Sequence, residues 1–233
     1  MMNGYLIKYT NIMILHLFYK EWLKTKWFVL ASLLLGVGVI LYAFIDLNSS
    51  IINAGGGSKY VYELFTRGGR PHYEIFRNIP MIIALLLGVS QFMPEVLQKR
   101  IKLTLHLPAN EMFLLYNMVL YGFLVMLGMM LVFMALFFAL DVCFLTTEMH
   151  CMALEAFGPW ILGGFTTYFF VAMIAMEPSW KYRFLYAIVV YELVGIFLLG
   201  GTMNKMYPLL CGILVLSSLG MLYTANRFKI GER

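Results

Sequence analysis

Six long apolar runs occupy most of the chain, and only short polar segments separate them. Within each run the apolar positions are continuous rather than alternating with polar ones, which favours helices over half-buried strands. Roughly 20 helical residues cross a hydrocarbon core about 30 Å thick, and lipid offers no water to satisfy an open backbone. Each run therefore predicts a membrane-spanning helix. The predicted spans are 27–47, 79–97, 113–140, 157–176, 184–201 and 208–226.

The composition is that of a membrane domain with short tails. Of the 233 residues, 62% are hydrophobic and 12% are charged, whereas a soluble domain has about 25% charged residues. We predict an all-α polytopic membrane protein with its six-helix domain at 27–226, an interfacial or cytoplasmic segment at 1–26 and a cytoplasmic tail at 227–233. The net charge of +5 is better explained by basic flanks against anionic lipid than by nucleic-acid binding.

The basic residues favour one orientation, because cytoplasmic flanks of membrane helices carry an excess of Lys and Arg. With the N-terminus inside, twelve of the 17 lysines and arginines fall on the cytoplasmic side and five fall outside. The segment between spans 3 and 4 carries only acidic charges. We therefore expect both termini to be cytoplasmic.

The segment before the first span predicts an amphipathic helix in the membrane interface. In a helix, Leu15, Phe18 and Trp22 share one face, and Lys20 and Lys24 lie on another. We expect the apolar face to meet acyl chains and the lysines to meet head groups. The alternative is a frayed tail beside the membrane.

The segment between spans 2 and 3, at 94–111, is basic, rich in leucine and predicted to be cytoplasmic. As a helix it places Leu97, Ile101 and Leu105 on one face, whereas as a strand it aligns alternate residues from Ile101 to Leu107. The periodicity does not choose between the two. In either form an amphipathic segment is available to lie on lipid or to dock into a groove of a partner.

The architecture and this segment together resemble the membrane subunit, or permease, of type-2 ABC transporters (the ABC-2 exporter family). In that family the segment carries an acidic residue, a basic pair, a Thr-Leu step and a proline that leads into the third span, and Leu103 stands where a glycine is usual. The matching positions are Glu95, Arg100, Thr104, Leu105 and Pro108.

The resemblance implies that this segment is a coupling helix resting in a cleft of a separate P-loop ATPase subunit. It also implies an N-terminal elbow helix, an exporter permease that forms half of the translocation pathway, and a dimer with a second copy or a homologous permease in a bacterial inner (plasma) membrane. ATP and Mg would bind to the ATPase partner, and this chain would need no cofactor. The implied coupling residues are Glu95, Leu97, Lys99, Arg100, Ile101, Lys102, Thr104, Leu105 and Pro108, and the elbow residues are Leu15, Phe18, Lys20, Trp22 and Lys24.

The sequence contains no Gly-x-x-x-x-Gly-Lys-Ser/Thr loop, so the chain is not a P-loop ATPase by itself. This absence is equally expected of a membrane protein that transports nothing; the resemblance implies a transport subunit that is not itself an enzyme. Two alternatives remain open. One is a membrane-embedded lipid-modifying enzyme, and the other is an assembly subunit that transports nothing.

Three polar features stand out in the sequence. Glu192 falls inside span 5, where a carboxylate usually faces the bundle interior or a wet cavity; it is either a substrate, ion or gating contact or a helix-packing residue. Gln91 is expected to pack between helices. The outer segment holds Glu148, His150, Cys151 and Glu155, types that are able to bind zinc, but their spacing fixes no ligand geometry and we expect no metal site.

Overall fold

The computed structural model describes residues 2–57, 59–60, 71–97, 111–144, 147–199 and 206–231. These residues are almost entirely helical, and no strand occurs among them. The helices are α1 (Met2–Ala54), a short 3₁₀ helix (His72–Phe76), α2 (Ile79–Leu97), α3 (Glu111–Phe144), α4 (Thr147–Met176), α5 (Trp180–Phe197) and α6 (Tyr207–Gly231).

The all-helical prediction is confirmed. Within the described part of the chain, five helical segments are long and apolar enough to cross a membrane, as a polytopic membrane protein requires: Met13–Ala54, His72–Val96, Phe113–Phe144, Met149–Met176 and Tyr207–Arg227. The remaining long helix, α5, coincides with most of the fifth predicted span but carries Lys181, Arg183 and Glu192. Its passage through the membrane stays a prediction.

The first helix differs from the predicted arrangement of an elbow followed by a span. α1 is one continuous helix of 53 residues, about 80 Å long at roughly 1.5 Å per residue. No glycine or proline occurs between Tyr5 and Leu35, so nothing in the sequence breaks the helix at the expected boundary near Trp27. The interfacial position of its N-terminal part remains a prediction.

The helix α4 forms the centre of the bundle and packs against α2, α3, α5 and α6. In its most apolar window 72% of the residues are buried, compared with 28% in α3, so α3 has far more surface free for lipid. Gly163 and Gly164 make this close packing possible. A Cβ at Gly163 would lie 2.7 Å from Cβ of Phe197, and one at Gly164 would lie 2.9 Å from Cβ of Pro80.

Successive helices run in opposite directions through the bundle. Polar residues that are distant in sequence therefore meet in two groups, one at each end of the bundle. One end contains residues 20–25 of α1 and the C-terminal end of α2, joined by the Lys24–Glu95 ion pair. The other contains the 3₁₀ helix, the C-terminal end of α3 and the start of α4, joined through Asp141. We name them the inner end and the outer end, following the predicted orientation.

Candidate functional site

A buried carboxylate organises the inner end. Glu95, in the last turn of α2, is 2% exposed, and its Oε1 lies 2.7 Å from Nζ of Lys24 and 3.3 Å from Nζ of Lys20. Lys24 also lies 2.7 Å from Oε1 of Glu21. We call Lys20, Glu21, Lys24 and Glu95 the inner charge cluster. Its two carboxylates and two ammonium groups balance in charge.

Helical spacing on α1 explains why the cluster forms. Lys20 and Lys24 are four residues apart and therefore lie on the same face, while Glu21 reaches Lys24 at a spacing of three. Removing one partner of a buried ion pair leaves an uncompensated charge, at a cost of about 3–5 kcal/mol. The Lys24–Glu95 ion pair therefore links α1 to the C-terminal part of α2.

The same part of α1 also packs against α3. The hydroxyl groups of Thr25 and Tyr121 are hydrogen-bonded at 2.7 Å, and the rings of Phe18 and Tyr121 meet edge to face with centroids 5.7 Å apart. The expectation that the predicted elbow turns its lysines to head groups is wrong for Lys24, whose side chain is only 12% exposed. Lys24 is buried because the carboxylate of Glu95, on α2, faces it. The residue pattern of α1 alone does not reveal a partner on another helix.

The predicted coupling segment begins at this cluster. Glu95 and Leu97 are in the last described turn of α2, so the cluster lies immediately before the rest of the segment in sequence. Leu15 and Trp22, on the other face of α1, are exposed in the single chain, and their contact with acyl chains stays a prediction. The other coupling residues lie outside the described residues: Lys99, Arg100, Ile101, Lys102, Thr104, Leu105 and Pro108.

A second buried carboxylate at the inner end was missed by the sequence analysis. Glu177, after α4, is fully buried, and its Oε1 lies 3.3 Å from Nη1 of Arg227 on α6. Arg183 of α5 donates from Nε to the backbone carbonyl of Glu177 at 2.6 Å. The available signal was an acidic residue before Pro178, with two arginines assigned to the same side of the membrane.

At the outer end one carboxylate contacts two histidines. Asp141, at the end of α3, is fully buried; its Oδ1 lies 3.2 Å from Nε2 of His72, and its Oδ2 accepts a hydrogen bond from Nδ1 of His150. The His72 ring stacks on Phe137 with centroids 5.6 Å apart. We call Asp141, His72 and His150 the outer acid–base cluster.

This cluster replaces the grouping considered from the sequence. His150 pairs with Asp141, nine residues earlier, instead of forming a set with the neighbouring Glu155 and Cys151. No group of three or more His, Cys, Asp or Glu side chains in the described part of the chain has an arrangement suited to a metal ion. All three cysteines are free thiols at exposed positions. His72 was missed because 69 residues separate it from Asp141.

Glu192 does not occupy the interior position expected for it. Its side chain is exposed on the surface of α5 in the single chain. The polar contacts within the bundle involve Gln91 instead, whose Oε1 accepts from the Tyr168 hydroxyl at 2.8 Å and whose Nε2 donates to the Met118 carbonyl at 2.6 Å. Gln91 thus joins α2, α3 and α4, as its predicted packing role requires.

Comparison with protein-family models, curated proteins and solved structures finds no match for this chain.

Proposed function

We propose that this chain is the permease subunit of an ATP-driven exporter of the ABC-2 type, which forms half of the translocation pathway and couples to a separate P-loop ATPase. The observation that carries the proposal is the inner charge cluster. It joins α1 to the last turn of α2, immediately before the segment predicted to dock on the ATPase.

The contacts support a route from this segment into the bundle. Residues 98–110 connect α2 to α3 in the chain, so a displacement there acts on both helices. The Lys24–Glu95 ion pair extends the connection to α1, and the close packing of α2 against α4 extends it to the centre of the bundle. Packed side chains and ion pairs of this kind are able to carry energetic coupling between distant sites.

The exposed face of α5 supports a second permease copy. Trp180, Phe184, Ile188 and Tyr191 lie along one side of α5 and are each at least 66% exposed, and Glu192 is exposed beside them. A carboxylate in contact with lipid is costly, and a protein partner over this face would remove that cost. On this proposal the dimer lies in the inner (plasma) membrane with both termini cytoplasmic, and ATP and Mg bind to the partner ATPase.

Purification of the intact chain in mild detergent from its native host tests the assignment. We expect a stoichiometric P-loop ATPase to copurify. Reproducible purification of the intact chain without an ATPase contradicts the permease assignment. An ATPase that copurifies but whose activity never responds to any transported molecule favours the assembly subunit.

Charge substitutions in the coupling segment give a sharper test. Leu97→Glu with Ile101→Glu and Leu105→Glu should uncouple ATP hydrolysis from transport while leaving the spans folded. Leu103→Glu with Leu107→Glu is the matched control, because these positions lie off that helical face. Uncoupling by the triple variant alone identifies a helix, whereas unchanged coupling in it contradicts the proposal.

A second candidate is a membrane-embedded enzyme acting on lipid, and the outer acid–base cluster is the observation that favours it. Two imidazoles on one buried carboxylate form the compact arrangement that general acid–base catalysis uses. Lipid turnover by the purified chain without any ATPase, abolished by His150→Gln, would support this function over the permease.

A further inference from the structure

The helix α3 contains an interior glycine, Gly122, at the point where side chains of α2 and α4 reach it. A Cβ at this position would overlap the Tyr168 hydroxyl group and Oε1 of Gln91, and it would lie 2.6 Å from Cζ of Tyr168. The close approach therefore requires glycine, which is also the residue with the least restricted backbone. We call Gln91, Gly122 and Tyr168 the polar node.

The two side chains of the polar node also reach backbone carbonyls of α3. Gln91 donates from Nε2 to the Met118 carbonyl at 2.6 Å. The Tyr168 hydroxyl group, which donates to Oε1 of Gln91 at 2.8 Å, lies 3.3 Å from the Val119 carbonyl. In an α-helix these two carbonyls accept from the amides four residues later, which are those of Gly122 and the residue after it. A side-chain donor thus stands beside both backbone hydrogen bonds that span the glycine.

This arrangement lowers the cost of opening α3 at Gly122. Lipid offers no water to a freed carbonyl, and glycine is tolerated within membrane helices where neighbouring helices satisfy the freed groups. A carbonyl oxygen has two lone pairs, so the Met118 carbonyl keeps its bond from Gln91 whether or not the helical bond is made. Acceptor oxygens of Gln91 and Tyr168 lie beside the glycine, at the place where an amide would be freed.

A second glycine in the same helix lacks these features. Gly128 lies six residues after Gly122, and a Cβ there would meet no atom of the described residues within 4 Å. Both positions have the same intrinsic freedom, but only Gly122 has side chains of two other helices beside it. Gly128 therefore serves as the matched control for any effect of glycine alone.

The outer arm of α3, residues 123–144, is held at several points. Phe133 and Phe137 are almost completely buried, and a Cβ at Gly36 of α1 would overlap the Phe133 ring. Asp141 adds its contacts with the two histidines of the outer acid–base cluster. This arm is therefore joined to the elements around it.

The inner arm of α3, residues 111–121, has polar contacts that leave it free to turn about the glycine. The bond between the hydroxyl groups of Tyr121 and Thr25 lies one residue before Gly122 and so lies at the pivot itself. Further from the glycine, Asn117 donates from Nδ2 to the Phe113 carbonyl at 2.8 Å, within the arm.

We propose that α3 bends at Gly122 in the membrane, so that the inner arm swings while the outer arm stays in the bundle. The polar node supports the backbone groups that the bend opens. The hinge belongs to this chain alone and stands even where the permease assignment fails. One consequence rests on the proposed function: a displacement of residues 98–110, which precede the inner arm, would be taken up at Gly122 instead of travelling along α3.

Distances between nitroxide labels on the full-length chain in lipid nanodiscs, measured by electron paramagnetic resonance, test the hinge. The labels occupy Tyr116→Cys of α3 and Tyr223→Cys of α6, both exposed, with the native cysteines replaced by serine. A second pair joins Tyr116→Cys to the exposed Tyr19→Cys of α1 and covers displacements that the first pair does not detect. Tyr116 is about 9 Å from Gly122, so a bend of about 30° moves it by about 5 Å. We expect two distances in at least one of these pairs.

The outer arm supplies its own reference through native cysteines. Cys143 of α3 and Cys211 of α6 are both exposed, and Cys151→Ser leaves them as the labelled pair. We expect a single distance here, because the outer arm stays in the bundle. Two distances in this pair together with one in both inner pairs would contradict the proposed movement.

Variants of the polar node separate a hinge from a lock. Gln91→Leu with Tyr168→Phe removes both donors, so opening α3 would leave its carbonyls unpaired in lipid, and we expect the second population to fall at least fivefold. Gly122→Ala should have the same effect if it folds. Gly128→Ala should leave both populations unchanged.

Three results would overturn the hinge. One is a single distance in both inner pairs of the unaltered chain. Another is a second population that persists or grows in the Gln91→Leu, Tyr168→Phe variant, since a growing one identifies the node as a lock that holds α3 in place. The last is an equal loss of the second population in Gly128→Ala. Each of these leaves the permease assignment standing, whereas purification of the chain without an ATPase contradicts that assignment and leaves the hinge.

Discussion

Each end of the bundle contains a buried helical carboxylate, but the side chains that contact this carboxylate differ between the two ends. At the inner end Glu95 contacts the ammonium groups of Lys20 and Lys24. At the outer end Asp141 contacts the imidazoles of His72 and His150. The inner end is therefore an ionic joint between lysines and carboxylates, whereas the outer end is held by hydrogen bonds between imidazoles and a carboxylate.

The largest effect that separates the two ends is expected from Lys24→Met. This change leaves the carboxylates of Glu21 and Glu95 facing one another with only Lys20 nearby, and we expect a loss of about 3–5 kcal/mol in the free energy of unfolding. Chemical unfolding in detergent micelles measures it. Lys26→Met is the matched control, because Lys26 contacts the Trp27 ring and not the cluster. Equal stability of the two variants would contradict the idea of an ionic joint.

A smaller loss is expected from Asp141→Asn at the outer end. The amide keeps an acceptor for one histidine but turns a donor towards the other, so we expect a loss of about 1–3 kcal/mol. The same unfolding measurement applies, with Asp46→Asn as an exposed control of identical chemistry. A loss as large as that of Lys24→Met would show that the outer carboxylate is also bound as a fixed ion pair.

The smallest effect is expected from Lys20→Met. The Lys20 side chain is 38% exposed and 3.3 Å from Glu95, and exposed ion pairs contribute about 0.2–1 kcal/mol. A double-mutant cycle with Glu95→Gln isolates this pair. A coupling energy near that of the buried Lys24 pair would mean that both lysines hold the joint equally.

Local patterns predicted the helices well because a span is a local property of the chain. The second predicted span, 79–97, begins at the same residue as α2, Ile79, directly after the polar Asn78, and the described residues of α2 run to Leu97. The elbow boundary in α1 was not reproduced, because an amphipathic face changes the surroundings of a helix without breaking its hydrogen bonds.

The candidate sites were predictable only in part, because their partners are distant in sequence. The sequence analysis assigned Lys24 to lipid head groups and Glu95 to contact with the ATPase subunit. It did not pair the two residues, because 71 residues separate them. The pairing of His72 with Asp141 had no local signal at all. Periodicity reports which face of a helix is polar, whereas the identity of the facing helix comes only from the tertiary fold.

The unbroken length of α1 has a mechanical consequence. Lys24 at the inner joint and Asp46, near His72 of the outer acid–base cluster, are on the same helix, about 33 Å apart along its axis at roughly 1.5 Å per residue. A stiff rod of that length acts as a lever arm. If α1 pivots at its inner contacts by about 10°, its end beside the outer acid–base cluster moves by about 6 Å.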